Sequence, residues 1–183
     1  TGRISHSSLI GEQPVSSSDV PASGQVLGAD YHMHNYEAPR ALLTDEVPMI
    51  VSQFEQAAKN AKAAGMDGIE IHAANGYLID QFLRNGVNQR HDEFGGSIEN
   101  RARLLMKILK ISISVFGEHK VGVRVSPQSG FNSMSDTDPM TTFCKIASML
   151  NDLPIAYLHI VESDAKTPNI ASEIRATFKG VII

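Results

Sequence analysis

The sequence predicts an α/β fold with parallel strands. Two observations carry that prediction. From residue 45 onward, helical and strand patterns alternate without interruption, and the strands keep apolar residues on one parity and ionisable residues on the other. Such alternation argues for right-handed βαβ units, in either an open doubly wound sheet or a closed barrel. Parity favours the barrel. Ile69 and Ile71, Val121, Val123 and Val125, and Leu158 and Ile160 share one face, while Glu70, His72, Arg124, Ser126 and His159 share the other. A sheet between two helix layers is apolar on both faces, whereas a barrel can gather polar side chains at the carboxyl-end mouth of its interior.

Residues 1–44 are rich in Ser, Gly and Pro without a sustained period, and read as a long loop region with a short hairpin. Within it, His32-Met33-His34 would put two imidazoles on one side of a strand, but no third ligand lies nearby, so they read as surface residues rather than a metal pair. A helix follows over 45–64, where Val47, Ile50, Val51, Phe54, Ala57, Ala58 and Ala61 form a stripe. Thr44 or Asp45 can cap its start and Gly65 its end.

Residues 67–72 are short and β-branched and read as a strand, after which a connecting loop leads to a helix over 97–116. Ser97 is its expected cap, Glu99 favours its dipole and Gly117 ends it. The next strand is 120–126, closed by Pro127. Asp138-Pro139 opens a further helix, with Pro at a position whose N–H is not needed, and Phe143, Ile146, Ala147 and Leu150 form its buried face. Residues 156–161 are a strand. Thr167-Pro168 repeats the cap-and-proline device before a helix reaching about residue 178, and 180–183 opens a fourth strand.

Composition excludes several classes. A net charge of −4 with dispersed Lys and Arg gives no nucleic-acid footprint. No apolar run approaches the roughly 18 residues needed to span a bilayer. One cysteine, Cys144, suits a reducing, cytoplasmic compartment and falls on an apolar helix side as a packing residue. The length suits one domain. However, the start at Thr1 without Met and the apolar Gly180-Val181-Ile182-Ile183 end lead to the expectation that the chain is part of a longer one.

The chemistry concentrates where the 67–72 strand gives way to a glycine-containing turn, at His72, Asn75 and Tyr77. A histidine ending a strand is often only a satisfied polar residue, and a tyrosine can simply pack. Together, at the face where barrel active sites lie, they read as a functional set. Glu70 points the same way as Arg124 and His159 and is expected to pair with one of them in the interior. Asn88, Arg90, Asp92, Gly95, Gly96, Ser97, Asn100 and Arg101 are assigned to shaping the loop and capping the next helix.

HAANGYLIDQFL, then NQRHDEFGGSIENRARL, then GVRVSP, with TGRISH at the start and EAPRAL before the first helix, resemble the old yellow enzyme family of FMN-dependent ene-reductases. The resemblance covers nearly the whole chain. It implies that residues 1–183 are a partial (β/α)8 TIM barrel, part of a single FMN-binding domain without its amino-terminal strands and carboxy-terminal phosphate site, so that alone it would bind FMN weakly or not at all. It further implies FMN as cofactor, NADPH or NADH as reductant, and activated alkenes (α,β-unsaturated carbonyl or nitro compounds) as substrates. His72 and Asn75 would bind the substrate oxygen, Tyr77 would donate the proton, and Arg124 would sit beside the flavin pyrimidine. Self-association into a homo-oligomer is compatible with the sequence. Two other readings compete: an iron–sulfur flavoenzyme reducing 2,4-dienoyl-CoA, against which Asn75 weighs, because many relatives outside the first group carry histidine there; and a truncated, non-catalytic relative.

Overall fold

A computed structural model describes residues 1–162 and 170–183. The amino-terminal region holds a one-turn helix α1 (Ser7–Ile10) and four short strands: β1 (Val15–Ser16), β2 (Gln25–Leu27), β3 (Met33–Asn35) and β4 (Arg40–Ala41). β2 and β3 form the expected antiparallel hairpin, and β1 pairs parallel with β4. The α/β part follows as α2 (Val47–Ala63), β5 (Ile69–Ala73), α3 (Leu78–Leu83), α4 (Ile98–Phe116), β6 (Val121–Val125), α5 (Pro139–Leu150), β7 (Leu158–Ile160) and α6 (Ile170–Thr177).

β5, β6 and β7 form a parallel sheet in that order. The register sets Ile71 beside Val123 and Val123 beside Leu158, and it puts His72, Arg124 and His159 in one row across the sheet. Ile182 makes a parallel bridge to Leu158, in the expected direction for a next strand. The apolar parity is buried with the helices: Ile71, Val123, Val125 and Leu158 join Leu104, Leu105, Ile108, Leu109, Phe143 and Ile146 in one core. The other parity, Glu70, His72, Arg124 and His159, remains partly accessible. A one-sided parallel sheet of this kind is a sector of a barrel wall, with helices outside and the polar face turned inward.

Local chemistry explains most boundaries. The Ser97 hydroxyl accepts the Asn100 N–H at 3.2 Å, and Gly117, at φ 96°, ends α4. Asp138 accepts the Thr141 N–H at 3.0 Å with Pro139 beginning α5. Such caps contribute about 1 kcal/mol each, whereas each fully buried side chain of α4, such as Leu105, contributes about 1.5–3 kcal/mol. Packing therefore holds these helices, and the caps set where they start.

The structure departs from the sequence expectation in two elements, α2 and α3. α2 is not capped by Thr44 or Asp45: a 3-10 turn over Thr44–Glu46 precedes it, with no side-chain cap at its start. Glu46 instead accepts the Leu43 N–H at 2.7 Å and pairs with Arg40 at 2.6 Å, and Thr44 donates to Asp92 at 2.5 Å. Ala57, expected on the buried stripe, is exposed. The connecting loop after β5 contains a helix, α3, that periodicity does not reveal. The Thr167-Pro168 cap lies outside the described residues.

Candidate active site at the carboxyl end of β5

The turn between β5 and α3 folds back on itself. Asn75 and Gly76 both adopt positive φ, at 57° and 75°, a left-handed pair that Gly tolerates and Asn accepts better than most residues. A Cβ on Gly76 would lie 2.7 Å from the Asn132 Cβ and 2.8 Å from the Met134 Cγ, so the position has neither the backbone latitude nor the space for a side chain.

Every main-chain polar group of the turn has a partner. Asn75 N–H donates to the Ser126 hydroxyl at 2.7 Å, and Asn75 C=O accepts from the Asn132 amide at 2.7 Å. Gly76 N–H donates to Asp80 Oδ2 at 2.8 Å, and Gly76 C=O accepts from the Gln81 side chain at 2.7 Å. Tyr77 N–H donates to Ala74 C=O at 3.2 Å, and Tyr77 C=O accepts from Gln81 N–H at 2.9 Å. Strained backbone persists where its surroundings over-determine it, and here three elements do so: β5, α3 and the segment after β6.

His72 and Tyr77 face one another, with ring centroids 5.4 Å apart and planes tilted by 48°. Both line a cavity of about 280 Å³ with Thr1, Phe54, Leu78 and Ile79. Burial, and then the neighbouring Arg124 charge, lower the His72 pKa. The imidazole is thus neutral at physiological pH, with one N–H to donate and one nitrogen lone pair. In the adjacent strand, Arg124 occupies the same row as His72, and its buried Nε has no hydrogen-bond partner. Glu70 meets His159, with Oε2 3.0 Å from Nδ1. This is one of the two pairings the sequence suggested, but the pair is partly exposed rather than buried, with about 30% of each side chain accessible.

Behind the turn lies a charged group that the sequence reading did not single out. Asp80 is fully buried on α3, with Arg84 Nη1 3.9 Å from its Oδ2, and its Oδ1 has no partner. Burial raises its pKa to about 7 against the lowering effect of Arg84 and the Gly76 hydrogen bond. Arg3, also fully buried, donates to the carbonyls of Val20, Pro21, Asn132 and Ser133. A signal existed: Asp80 and Arg84 stand at i,i+4 spacing, with Asp80 and Gln81 the two polar residues of the Leu78–Leu83 run.

The residues assigned to the loop before α4 shape it as expected. Asn88 donates to Phe82 C=O and Phe94 C=O at 2.7 and 2.8 Å. Arg90 pairs with Asp92 at 2.5 Å, and Arg101 donates to Leu83 C=O, Gly96 C=O and Thr142. His32 is exposed, and His34 bonds Asp30 at 2.8 Å and stacks on His6. Among the described residues, no group of three His, Cys, Asp or Glu side chains could hold a metal ion, and no helix is long and apolar enough to cross a membrane.

The fold and this turn define a class: a sector of a parallel β/α barrel in which the end of one strand and the turn after it bring His72 and Tyr77 to the wall of one cavity. Comparison with known proteins names the family. Residues 2–180 match the NADH:flavin oxidoreductase / NADH oxidase family, and the chain belongs to that family, the old yellow enzyme group of its sequence resemblance. It is 42% identical over 170 residues to 12-oxophytodienoate reductase 7 of Oryza sativa subsp. japonica, a match covering 88% of this chain and 43% of the relative. The structure of the old yellow enzyme homologue from Zymomonas mobilis superposes with a TM-score of 0.94 at 40% identity, over 99% of this chain and 53% of the homologue. Morphinone reductase in complex with tetrahydroNAD gives 0.92 at 40% identity, over 99% and 52%. The chain therefore spans about half the length of these relatives, and its three-stranded wall is part of a barrel.

Proposed function

We propose that residues 1–183 are part of one FMN-binding barrel domain of an ene-reductase that uses NADH or NADPH to reduce the C=C bond of α,β-unsaturated carbonyl or nitro compounds. The single observation that carries this reading is the turn that sets His72, Asn75 and Tyr77 at the end of β5 beside Arg124. The names of relatives, a 12-oxophytodienoate reductase and a morphinone reductase in complex with tetrahydroNAD, support it. One free thiol, Cys144, fits a cytoplasmic setting.

The residues suit a flavin. The buried Arg124 Nε lacks a protein partner on the inward face of the sheet, where a carbonyl-rich ring that becomes anionic on reduction would take its charge. Arg124 would hold FMN by its ring, and the cofactor would supply the hydride chemistry that the reduction of an activated alkene by a nicotinamide needs. Arg124 holds the cofactor with a charge that does not titrate. His72 and Asn75 donate to the substrate oxygen, where negative charge grows during the reaction, so they stabilise the transition state more than the ground state. Tyr77 delivers a proton from its phenol to the α-carbon. A carbanion-like carbon is basic enough to take it from a group with an ordinary pKa of about 10, so placement decides the rate more than acidity.

A yellow flavin spectrum of the purified parent protein that carries the whole barrel, with NADPH oxidation stimulated by cyclohexenone, is the first check. In stopped-flow half-reactions, Tyr77→Phe is expected to slow the enone step by roughly 10²–10⁴-fold, the usual contribution of a positioned general acid, and to leave flavin reduction intact. An unchanged enone step would remove Tyr77 from the donor role.

A further inference from the structure

We propose that Asp80 is a positioning residue for the Asn75–Tyr77 turn: from the first turn of α3 its carboxylate holds the Gly76 N–H, fixing the direction of the Asn75 amide and the reach of the Tyr77 phenol. The catalytic consequence rests on the ene-reductase reading. The clamp itself stands on geometry alone.

Three observations lead here. First, the two left-handed residues of the turn need outside anchors, and Gly76, between the substrate-binding Asn75 and the proton-donating Tyr77, is held on both sides by α3. Asp80 Oδ2 takes its N–H at 2.8 Å, and the Gln81 amide gives to its C=O at 2.7 Å. Gln81 is fixed in turn, because its Oε1 accepts from Arg3 N–H at 3.1 Å and from the Ser16 hydroxyl at 2.8 Å.

Second, a carboxylate is a costly way to accept one N–H in a dry core, and Asp80 leaves Oδ1 without a partner. Arg84 faces it from its own helix and Arg3 from the amino-terminal segment, while Asp136, in the segment before α5, opposes it. Third, these guanidiniums reach the same surroundings as the turn. Arg84 donates to Ser129 C=O at 2.6 Å, and Arg3 donates to the carbonyl of Asn132, whose side chain holds Asn75 C=O. Asp80 thus ties the turn to the two segments that pack over it.

The test uses the intact, FMN-loaded protein. In Asp80→Ala the Gly76 amide is expected to exchange with deuterium at least about tenfold faster while amides of Leu104–Leu109 in α4 keep their protection. The enone half-reaction should slow by roughly 10–100-fold, the effect of ångström-scale misplacement, with flavin reduction within about twofold. Asp80→Asn, which keeps an acceptor, should recover most of the protection and rate. A mutation-free measurement covers the case in which a variant fails to fold: in wild-type protein the Gly76 amide proton shift should follow the Asp80 titration, with a midpoint near the value of about 7. A Gly76 shift flat with pH, unaltered exchange in Asp80→Ala, or faster exchange with an unchanged enone rate would each overturn the proposal. If wild-type protein reduces no enone, the functional reading and the catalytic consequence fall, and the exchange and shift data still decide the clamp.

Discussion

At Asn75 the backbone turns left-handed one residue before Gly76 does the same, and the side chain that projects from this corner is one of two proposed donors to the substrate oxygen. His72, the other, ends the row it shares with Arg124 and His159. Its pKa is lowered by burial and by Arg124, so it donates as a neutral imidazole. Removing one preorganised donor of this kind costs about 10²–10³-fold. Asn75→Ala is accordingly expected to slow the enone half-reaction by that amount with nicotinamide-dependent flavin reduction preserved, as read by stopped-flow absorbance. An equal loss in both half-reactions would mean that Asn75 serves the cofactor instead. These residues were legible in the sequence because each carries its own chemistry in a compact run. Asp80 was not, since nothing in the letters of the Leu78–Leu83 hexapeptide says that its carboxylate turns back four residues to a glycine N–H.

The element that escaped periodicity is α3. It is six residues long, and Ile79, Asp80, Gln81, Phe82 and Leu83 are all buried. A helix covered on every side has no polar stripe, so the pattern that reveals α2 and α4 is absent. α4, by contrast, announces itself: Ser97 caps it, Gly117 ends it and Leu104, Leu105, Ile108 and Leu109 fall inward. The expected Thr44 cap fails because Thr44 lies inside the 3-10 turn that precedes α2, which puts Glu46 at the start of the helix; the Thr44 hydroxyl donates to Asp92 in a distant loop. The junction between β5 and α3 also makes a sharp prediction. Gly76→Ala would force a Cβ toward Asn132 and Met134 at a positive φ. It should destabilise the protein by about 1–3 kcal/mol, seen as a lower thermal midpoint and a weaker enone step.

Across the whole molecule, two buried or half-buried acids pull stability in opposite directions with pH. The Asp80 carboxyl, raised to about 7 from an unfolded value near 3.9, binds its proton more tightly when folded. Between about pH 4 and pH 7 the folded state holds more protons than the unfolded one, so this group makes stability fall as pH rises. Asp92 behaves oppositely: hydrogen bonding from Arg90 and Thr44 holds it well below the ordinary carboxylate range, giving stability that is present above the unfolded value and lost in acid. Urea unfolding of wild type and Asp80→Asn at pH 5 and pH 8 separates them. The wild-type advantage should shrink, or its deficit grow, on going from pH 5 to pH 8, and a difference that does not change with pH would contradict the raised Asp80 pKa. By itself the sequence determined the strand–helix alternation, the polar parity that becomes one row of the sheet, and the His72, Asn75 and Tyr77 cluster, because periodicity and chemical type are local properties of the chain. Only the tertiary structure decided that Glu70 meets His159 rather than Arg124, that Ser126 and Asn132 hold Asn75, and that Asp80 holds Gly76. Each depends on strand register or on a contact between segments far apart in sequence, and packing sets those.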